Sequence, residues 1–565
     1  MPISVAILIL LAIVTTSYQQ TINAYPRGGG SYIVAKDNLG KIAGLFAASA
    51  VLIDYILTVA VSISAGIYAI VSVYPWLVPE KVLLCVMAII ILTLANLRGI
   101  KESGTLFALP VYIYIFTILG VLGYGVVNYF LGAYPEVVLP QNNITHSPDG
   151  IAHTIGFFLI LRAFSSGASG LTGVEAVADG VAAFKPPESK NARITLIWMA
   201  VIFGLIFFSI SFLANKLGIV PDHNELKSVI TLVVEKINVH PFFEHLVAFA
   251  TMAILILAAN TSFADFPRLS YFLARDKFLP SHFGFRGDRL AFNNGIIFLA
   301  MVACILVIHF KASVSGLIPL YTIGVFIAFT LSQAGMVMHW WKTRNPGWRI
   351  SMPVNAVGAC ITLIVLLVVA VTKFTEGAWV VIILIPIIIM LFLSIKKHYG
   401  KVSREISLIS ENENELLNES DLINYIVIPI SDITKASLKA VNFINTLAGP
   451  KHKKVIIDAV HITDDVEEGH KLQERWAKLK TGIPLRLIES PYRRLIRPLI
   501  HYIDAIERKY KQKNILITVI VPEVVSDKWW QLLYRTNTAF LLKSALLFHR
   551  RTIVLSFPYH LTDDK

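Results

Sequence analysis

Long apolar stretches separated by short polar loops fill residues 1–396 of this 565-residue chain. A bilayer-spanning helix needs about 20 apolar residues, and most of these stretches reach or exceed that length. The pattern therefore predicts a polytopic α-helical membrane protein. We predict eleven spans, at residues 3–23, 43–73, 80–97, 105–132, 152–183, 192–216, 243–272, 292–310, 314–341, 353–373 and 376–396.

The pattern changes after residue 397, where charged and polar residues become frequent. We divide the chain into a transmembrane domain (1–397), a linker or amphipathic segment (398–422) and an α/β domain (423–565). Short β-branched runs alternate with helical patterns in the last part, which predicts a small doubly wound domain with a parallel sheet. The predicted strands are 424–431, 453–462, 484–490, 514–523 and 552–558, and the predicted helices begin near Lys435, Val466, Tyr492 and Trp529.

Composition agrees with a membrane protein: 55% of residues are hydrophobic, 15% are charged and the mean hydropathy is +0.65. The formal net charge of +13 does not indicate nucleic-acid binding here. Lys and Arg concentrate in alternate loops, whereas residues 134–150 contain neither. The positive-inside rule then places those basic loops, and the tail, in the cytoplasm.

An acidic residue and two hydroxyls lie inside the predicted span 43–73. Asp54, Thr58 and Ser62 are spaced i, i+4 and i+8, so they share one face of a helix. A charged carboxylate at mid-membrane costs at least ~2.5–3.5 kcal/mol unless a partner or water stabilises it. This ladder is therefore a candidate cation site. The alternative is structural, with the hydroxyls bonded to their own helix and Asp54 joining helices.

A second candidate group lies in span 152–183, which is interrupted by glycine and serine between Ser165 and Gly170. Broken helices expose backbone groups to ions or substrates in many transporters. Thr172 and Glu175 follow the break, and two carboxylates with several hydroxyls indicate a cation site. Glu175 is our candidate for proton exchange, with a gate or an interhelical hydrogen bond as the alternative. Tyr321 is a further candidate hydroxyl, with plain aromatic packing as its alternative.

Other polar residues inside the spans are interpreted as structural or gating. Asp265 is expected to pair with Arg268, three residues further along the same helix. Arg162 either neutralises an acid or extends its charged end to the membrane interface.

The broken span begins a set of five spans, followed by two more, while four spans precede it. Inverted-repeat transporters place a broken helix at matching positions in both halves. We therefore expect two five-helix repeats and two additional helices, with the present chain beginning one helix late.

Three segments resemble the amino acid-polyamine-organocation superfamily: SYQQTINAYPRGGGSYIVAKDNLG, IDYILTVAVSISAG and GLTGVEAVADGV. Within it they resemble the KimA-type potassium importers, which are bacterial proton-coupled K⁺ symporters with a LeuT-like fold and a cytosolic C-terminal domain. The resemblance implies that K⁺ is bound at six positions, and that Glu175 and Asp54 take part in proton coupling. Those positions are Asp54, Thr58, Ser62, Thr172, Glu175 and Tyr321. The family's Asp and Tyr on its first helix have no equivalent here.

The tail resembles the universal-stress-protein-like domain of the same family, which implies homodimer contacts. ATP binding is disfavoured, because residues 535–555 lack a glycine-rich phosphate loop. The resemblance also suggests inhibition by cyclic di-AMP. The basic residues Arg493, Arg494 and Arg497 can meet its phosphates or can simply be a solvated helix face.

The resulting prediction is K⁺/H⁺ symport across the bacterial plasma membrane, with K⁺ and H⁺ as transported ions and no cofactor. An amino acid permease of the same superfamily and a non-transporting membrane sensor are the alternatives. We expect no enzyme activity, since no nucleophile and base are paired and no metal-ligand spacing occurs.

Overall fold

A computed structural model provides the structure of the chain. The chain forms two compact units, Met1–Ile406 and Ser407–Lys565, which are described separately. The structure describes residues 1–26, 28, 30–98, 104–134, 149–181, 184–221, 226–284, 292–406, 423–447, 455–490, 496–510, 515–525, 538–547, 549 and 552–560.

The first unit is all helical over its described residues. Apolar composition throughout the long helices and internal backbone bonding suit them to the bilayer interior. The α-helices are α1 Pro2–Ala24, α2 Ser31–Leu39, α3 Lys41–Val73, α4 Lys81–Leu97, α5 Gly104–Phe130, α6 Asp149–Ala168, α7 Val174–Asp179, α8 Glu188–Lys216, α9 Val229–Ile237, α10 Pro241–Arg275, α11 Asn293–His309, α12 Val314–Thr343, α13 Trp348–Thr372 and α14 Ala378–Ile406.

Among the described residues, nine helices are long and apolar enough to cross a membrane, and α11 is a shorter apolar helix. The remaining predicted span, 152–183, consists of α6, a 3₁₀ turn at Ser169–Leu171 and the six-residue α7. The predicted membrane-embedded helical class is confirmed. The count of eleven spans and the inverted repeat stay predictions.

The centre of this unit is formed by α3 and α12, in which 67% and 61% of the residues of the most apolar segment are buried. These helices approach closely at Gly324 of α12. A Cβ atom added at Gly324 would lie 3.0 Å from the carbonyl oxygen of Ala50 and 3.9 Å from the Cβ of Asp54. The missing side chain thus brings α12 directly against the helix turn that carries Asp54.

Two short helices, α2 and α9, were not predicted because each has only nine residues. The first lies between Gly30 and Gly40, and Gly40 has a positive φ of 101°. Glycine adopts this conformation without the steric penalty that a Cβ atom brings. The chain can therefore leave α1, form α2 and enter α3 within a short distance.

The second unit contains a five-stranded sheet of order β3-β2-β1-β4-β5, in which every pair is parallel. Apolar side chains on both faces pack under the helices. All five predicted strands and the doubly wound class are confirmed. A helix start near Trp529 lies outside the described residues. The elements are β1 Ile423–Pro429, α15 Lys435–Leu447, β2 Val455–Thr463, α16 Val466–Lys478, β3 Leu485–Glu489, α17 Ile496–Lys509, β4 Ile515–Val525, α18 Thr538–Leu546 and β5 Thr552–His560.

Candidate cation site

The predicted ladder lies on α3, near the centre of the first unit. The Thr58 hydroxyl points to Asp54, with 3.5 Å between Oγ1 and Oδ1, at the outer limit of a hydrogen bond. Ser62 is 8% exposed and follows one turn later. The carboxylate thus receives only weak support from its own helix.

The predicted break is present between α6 and α7. The helix α6 ends at Ala168, Thr172 is extended, and Gly173 has a left-handed φ of 91°. A left-handed residue at this point requires glycine in practice, which explains why the break follows a glycine-rich stretch. The interruption frees backbone groups next to Thr172 and Glu175.

Hydroxyl groups join the break to α12 and α3. The phenol of Tyr321 donates a hydrogen bond to Thr172 Oγ1. The Thr58 hydroxyl and the Asp54 carboxylate lie near the same phenol. Four of the six predicted site residues are therefore in or beside one contact region, and Ser62 lies one turn further along α3.

Glu175, the remaining predicted site residue, is 7% exposed and lies at the start of α7. Its Oε1 accepts a hydrogen bond from the backbone N–H of Ser31 at 3.1 Å. Ser31 begins α2, so the N-terminus of that helix faces the carboxylate, an arrangement that stabilises negative charge. Asp54 lies close enough to Glu175 for the two charges to repel.

Sequence analysis missed Asp179, which lies one helical turn beyond Glu175. Tyr55, the neighbour of Asp54, donates a hydrogen bond to Asp179 Oδ2 at 2.7 Å. A Cβ atom at Gly30 would lie 2.3 Å from Asp179 Oδ1, so any larger residue there would require the Asp179 side chain to move. Its spacing of four residues from Glu175, which places both acids on one face of a helix, could have indicated Asp179 from the sequence.

Asp179 borders a cavity of about 460 Å³. The cavity also exposes Tyr32, Tyr55, Asp265 and Arg268. Arg268 donates to Asp265 at 3.0 Å, which confirms that predicted pair. Four acids, Asp54, Glu175, Asp179 and Asp265, thus lie along one region of the interior, where a carboxyl group requires either compensating positive charge or a bound proton.

Arg162 is the other predicted partner of an acid. Its Nη2 lies 2.5 Å from Glu376 Oε1, and Lys373 lies 2.9 Å from the other oxygen of that carboxylate. The neutralising interpretation of Arg162 is confirmed. For the tail, Arg493 and Arg494 lie outside the described residues, and Arg497 is exposed on α17.

Comparison with known proteins gives consistent results for both units. A family model described as amino acid permease matches residues 1–393. The chain belongs to this amino acid permease family. A second model, described as the KimA potassium transporter C-terminal domain, matches residues 423–559. The predicted superfamily is confirmed.

One curated relative is the potassium transporter KimA of Bacillus subtilis (strain 168). It is 37% identical over 559 residues, covering 99% of this chain and 89% of the relative. Membership of the KimA-type branch, predicted from the resemblance of the motifs, is confirmed. The family is one of transporters rather than enzymes, and the chain is embedded in a membrane.

Proposed function

We propose that this protein takes up potassium by K⁺/H⁺ symport. The observation that carries the proposal is the convergence of three helical segments on one oxygen-rich region, seen in the contact of Tyr321 with Thr172 beside Thr58 and Asp54. Potassium is a hard cation whose hydration shell is replaced by neutral and anionic oxygen ligands. The relative named as a potassium transporter supports the same cargo.

In this proposal the hydroxyls of Thr58, Ser62, Thr172 and Tyr321 bind K⁺ together with the carboxylate of Asp54. Glu175 exchanges the coupled proton, because its carboxyl group is buried, lies beside Asp54 and is held by the backbone N–H of Ser31. Ion binding and proton release are thereby linked through electrostatic repulsion between two neighbouring acids.

The proposed setting is the bacterial plasma membrane, with the sheet domain in the cytoplasm. The distribution of Lys and Arg between alternate loops supports this orientation. Homodimer contacts through the sheet domain, and inhibition by cyclic di-AMP, are parts of the proposal that rest on family resemblance. Nucleic acid is not a proposed partner, and no cofactor is required.

Potassium uptake by the purified full-length chain in liposomes tests the proposal. We expect K⁺ uptake that acidifies the lumen and that Asp54→Asn abolishes. The conservative variant Asp37→Asn, which changes an exposed acid on α2, is the matched control. Liposomes that accumulate no K⁺ under an inward proton gradient would refute it.

The match to the amino acid permease model favours one second candidate, an amino acid permease. Such proteins bind the substrate carboxylate at helix breaks, where Asp54 and Glu175 would repel it here. Uptake of labelled amino acids that is unaffected by K⁺ would support this second function and contradict the first.

A further inference from the structure

Three buried hydroxyl groups form a row that begins beside Glu175 and have no role in the proposed K⁺ site. They belong to Tyr18 on α1, Ser31 on α2 and Ser332 on α12, which are 1%, 1% and 0% exposed. None of the three hydroxyl oxygens meets hydrogen-bond geometry with a described residue, although each lies close to another group of the row. Buried hydroxyls in proteins are nearly always hydrogen-bonded, so contacts that fall short of that geometry favour water between the groups.

The three hydroxyls lie one after another in space, starting from the Glu175 carboxylate. The Ser31 hydroxyl is close to both the Glu175 carboxylate and the Tyr18 phenol, and the Ser332 hydroxyl is close to the same phenol. Four separate elements, α1, α2, α7 and α12, therefore contribute one oxygen group each. The backbone N–H of Ser31 independently fixes the Glu175 carboxylate at 3.1 Å.

The ring of Tyr18 is held in place by packing. It meets the ring of Phe329 edge-on, with 5.4 Å between ring centroids, and is fully enclosed by the core. The hydroxyl position is consequently fixed by the fold, and replacing Tyr18 with phenylalanine would remove the oxygen while keeping the ring.

The charged groups nearby favour a positively charged ligand. Asp54 of α3 and Asp179 of α7 lie close enough to Glu175 for their charges to interact. The charges of Asp265 and Arg268 on α10 interact in turn with Asp179. Each hydroxyl can donate one hydrogen bond and accept others, so a row of hydroxyls and water can pass a proton without keeping a charge.

We propose that the hydroxyls of Tyr18, Ser31 and Ser332 hold water that carries the proton to and from Glu175. This relay rests on the proposed proton coupling at Glu175. In the release step, the Glu175 carboxylic acid gives its proton to water and becomes a carboxylate. The hydronium ion passes a proton to the next water as the hydroxyls reorient, so that water is regenerated and no protein bond other than the acid O–H breaks.

The test uses the full-length chain in liposomes that contain a pH-sensitive dye. External K⁺ should drive both K⁺ uptake and lumen acidification in the unmodified protein. For Tyr18→Phe we expect the acidification rate to fall by about tenfold or more, because the water that receives the Glu175 proton loses a hydroxyl that positions it. K⁺ binding, measured as the shift in thermal midpoint with added K⁺, should be unchanged. The control Tyr114→Phe, on α5 in a separate apolar cluster, should behave like the unmodified protein.

Two further variants keep the test decisive if Tyr18→Phe does not fold. Ser332→Ala and Ser31→Ala each remove one hydroxyl, and Ser31→Ala keeps the backbone N–H that holds Glu175. Acidification at the unmodified rate in all the folded variants would overturn the relay. Potassium uptake without any acidification in the unmodified protein would instead contradict the proton coupling itself, and the relay with it.

Discussion

Two acids in the interior, the partly buried Asp54 of the helical unit and the buried Asp458 of the sheet domain, have opposite surroundings. Asp458 on β2 is 1% exposed and accepts hydrogen bonds from Tyr425, from Tyr502 at 2.6 Å and from Arg486 at 2.6 Å. Among the described residues, Asp54 has one side-chain donor, Thr58, at 3.5 Å. The first carboxylate thus has three protein donors, all on Oδ2, whereas the second retains most of its capacity for a ligand.

The number of hydrogen-bond donors around a carboxylate therefore helps to distinguish a structural acid from one that binds a ligand. A buried charge with a full set of donors stabilises one conformation, and its removal leaves the donors unpaired. A buried charge with too few donors is retained at a cost in stability, which is a common property of ion-binding sites. Burial alone does not distinguish the two.

Asp54→Asn tests the functional side of the comparison and carries the largest expected effect. Loss of the charged ligand should reduce K⁺ uptake by about 100-fold or more, as expected when an essential intramembrane charge is removed. Thermal stability should stay the same or rise, since an undersupported buried charge is gone. Uptake in liposomes and thermal unfolding measure the two effects. A large loss of stability with preserved uptake would reverse the assignment.

Asp458→Ala tests the structural side. Two phenols and a guanidinium lose their acceptor, so the sheet domain should be destabilised by about 3 kcal/mol. Hydrogen exchange of the β1 and β2 amides measures the opening free energy. The control is Asp432→Ala, whose carboxylate is 60% exposed and 3.8 Å from Arg475, and which should cost about 0.5 kcal/mol or less. Equal effects of the two substitutions would show that the three donors to Asp458 do not stabilise the sheet domain.

Tyr321→Phe sharpens the comparison at a single hydroxyl. The variant keeps the ring but removes the group that donates to Thr172. The apparent K⁺ affinity should weaken by about tenfold, corresponding to about 1.4 kcal/mol. The concentration dependence of uptake measures it, with the half-exposed Tyr124→Phe as control. An unchanged half-saturating concentration would remove Tyr321 from the site.

The smallest expected effect is the change in stability of the sheet domain at high pH, which depends on the phenols that bind Asp458. Burial, followed by the bond to Asp458, raises the pKa of Tyr425 to about 12 and also raises the pKa of Tyr502. A phenol in the unfolded chain ionises near pH 10, so the folded state binds more protons between about pH 10 and 12. Stability of the sheet domain should therefore be constant below about pH 10 and fall above it. Urea midpoints at about pH 9 and 11 measure the change, and Tyr425→Phe should reduce it.

Local sequence patterns predicted much of the fold. Continuous apolar runs indicated the long helices, β-branched runs indicated the five strands, and the glycines near Gly173 indicated the break. The spacing of Asp54, Thr58 and Ser62 indicated one face of α3. These features depend on residues close together in the chain, where periodicity carries the information.

Contacts between distant residues were not predictable in the same way. Ser31 and Glu175 are 144 residues apart, and Tyr321 and Thr172 are 149 residues apart. No local pattern relates such pairs, because helix packing alone decides which faces meet. Asp179 was missed for the related reason that its partner Tyr55 lies on another helix.

The short helix α2 joins two distant groups. At its first residue, the Ser31 N–H binds Glu175; further along, Tyr32 and Lys36 bind Asp276 at the end of α10. A nine-residue α-helix is about 13 Å long, and its backbone hydrogen bonds allow it to move as one rigid element. A movement of α2 that releases Glu175 therefore requires its contacts with Asp276 to break or Asp276 to move as well, so α2 couples the proposed proton-exchange site to the C-terminal end of α10.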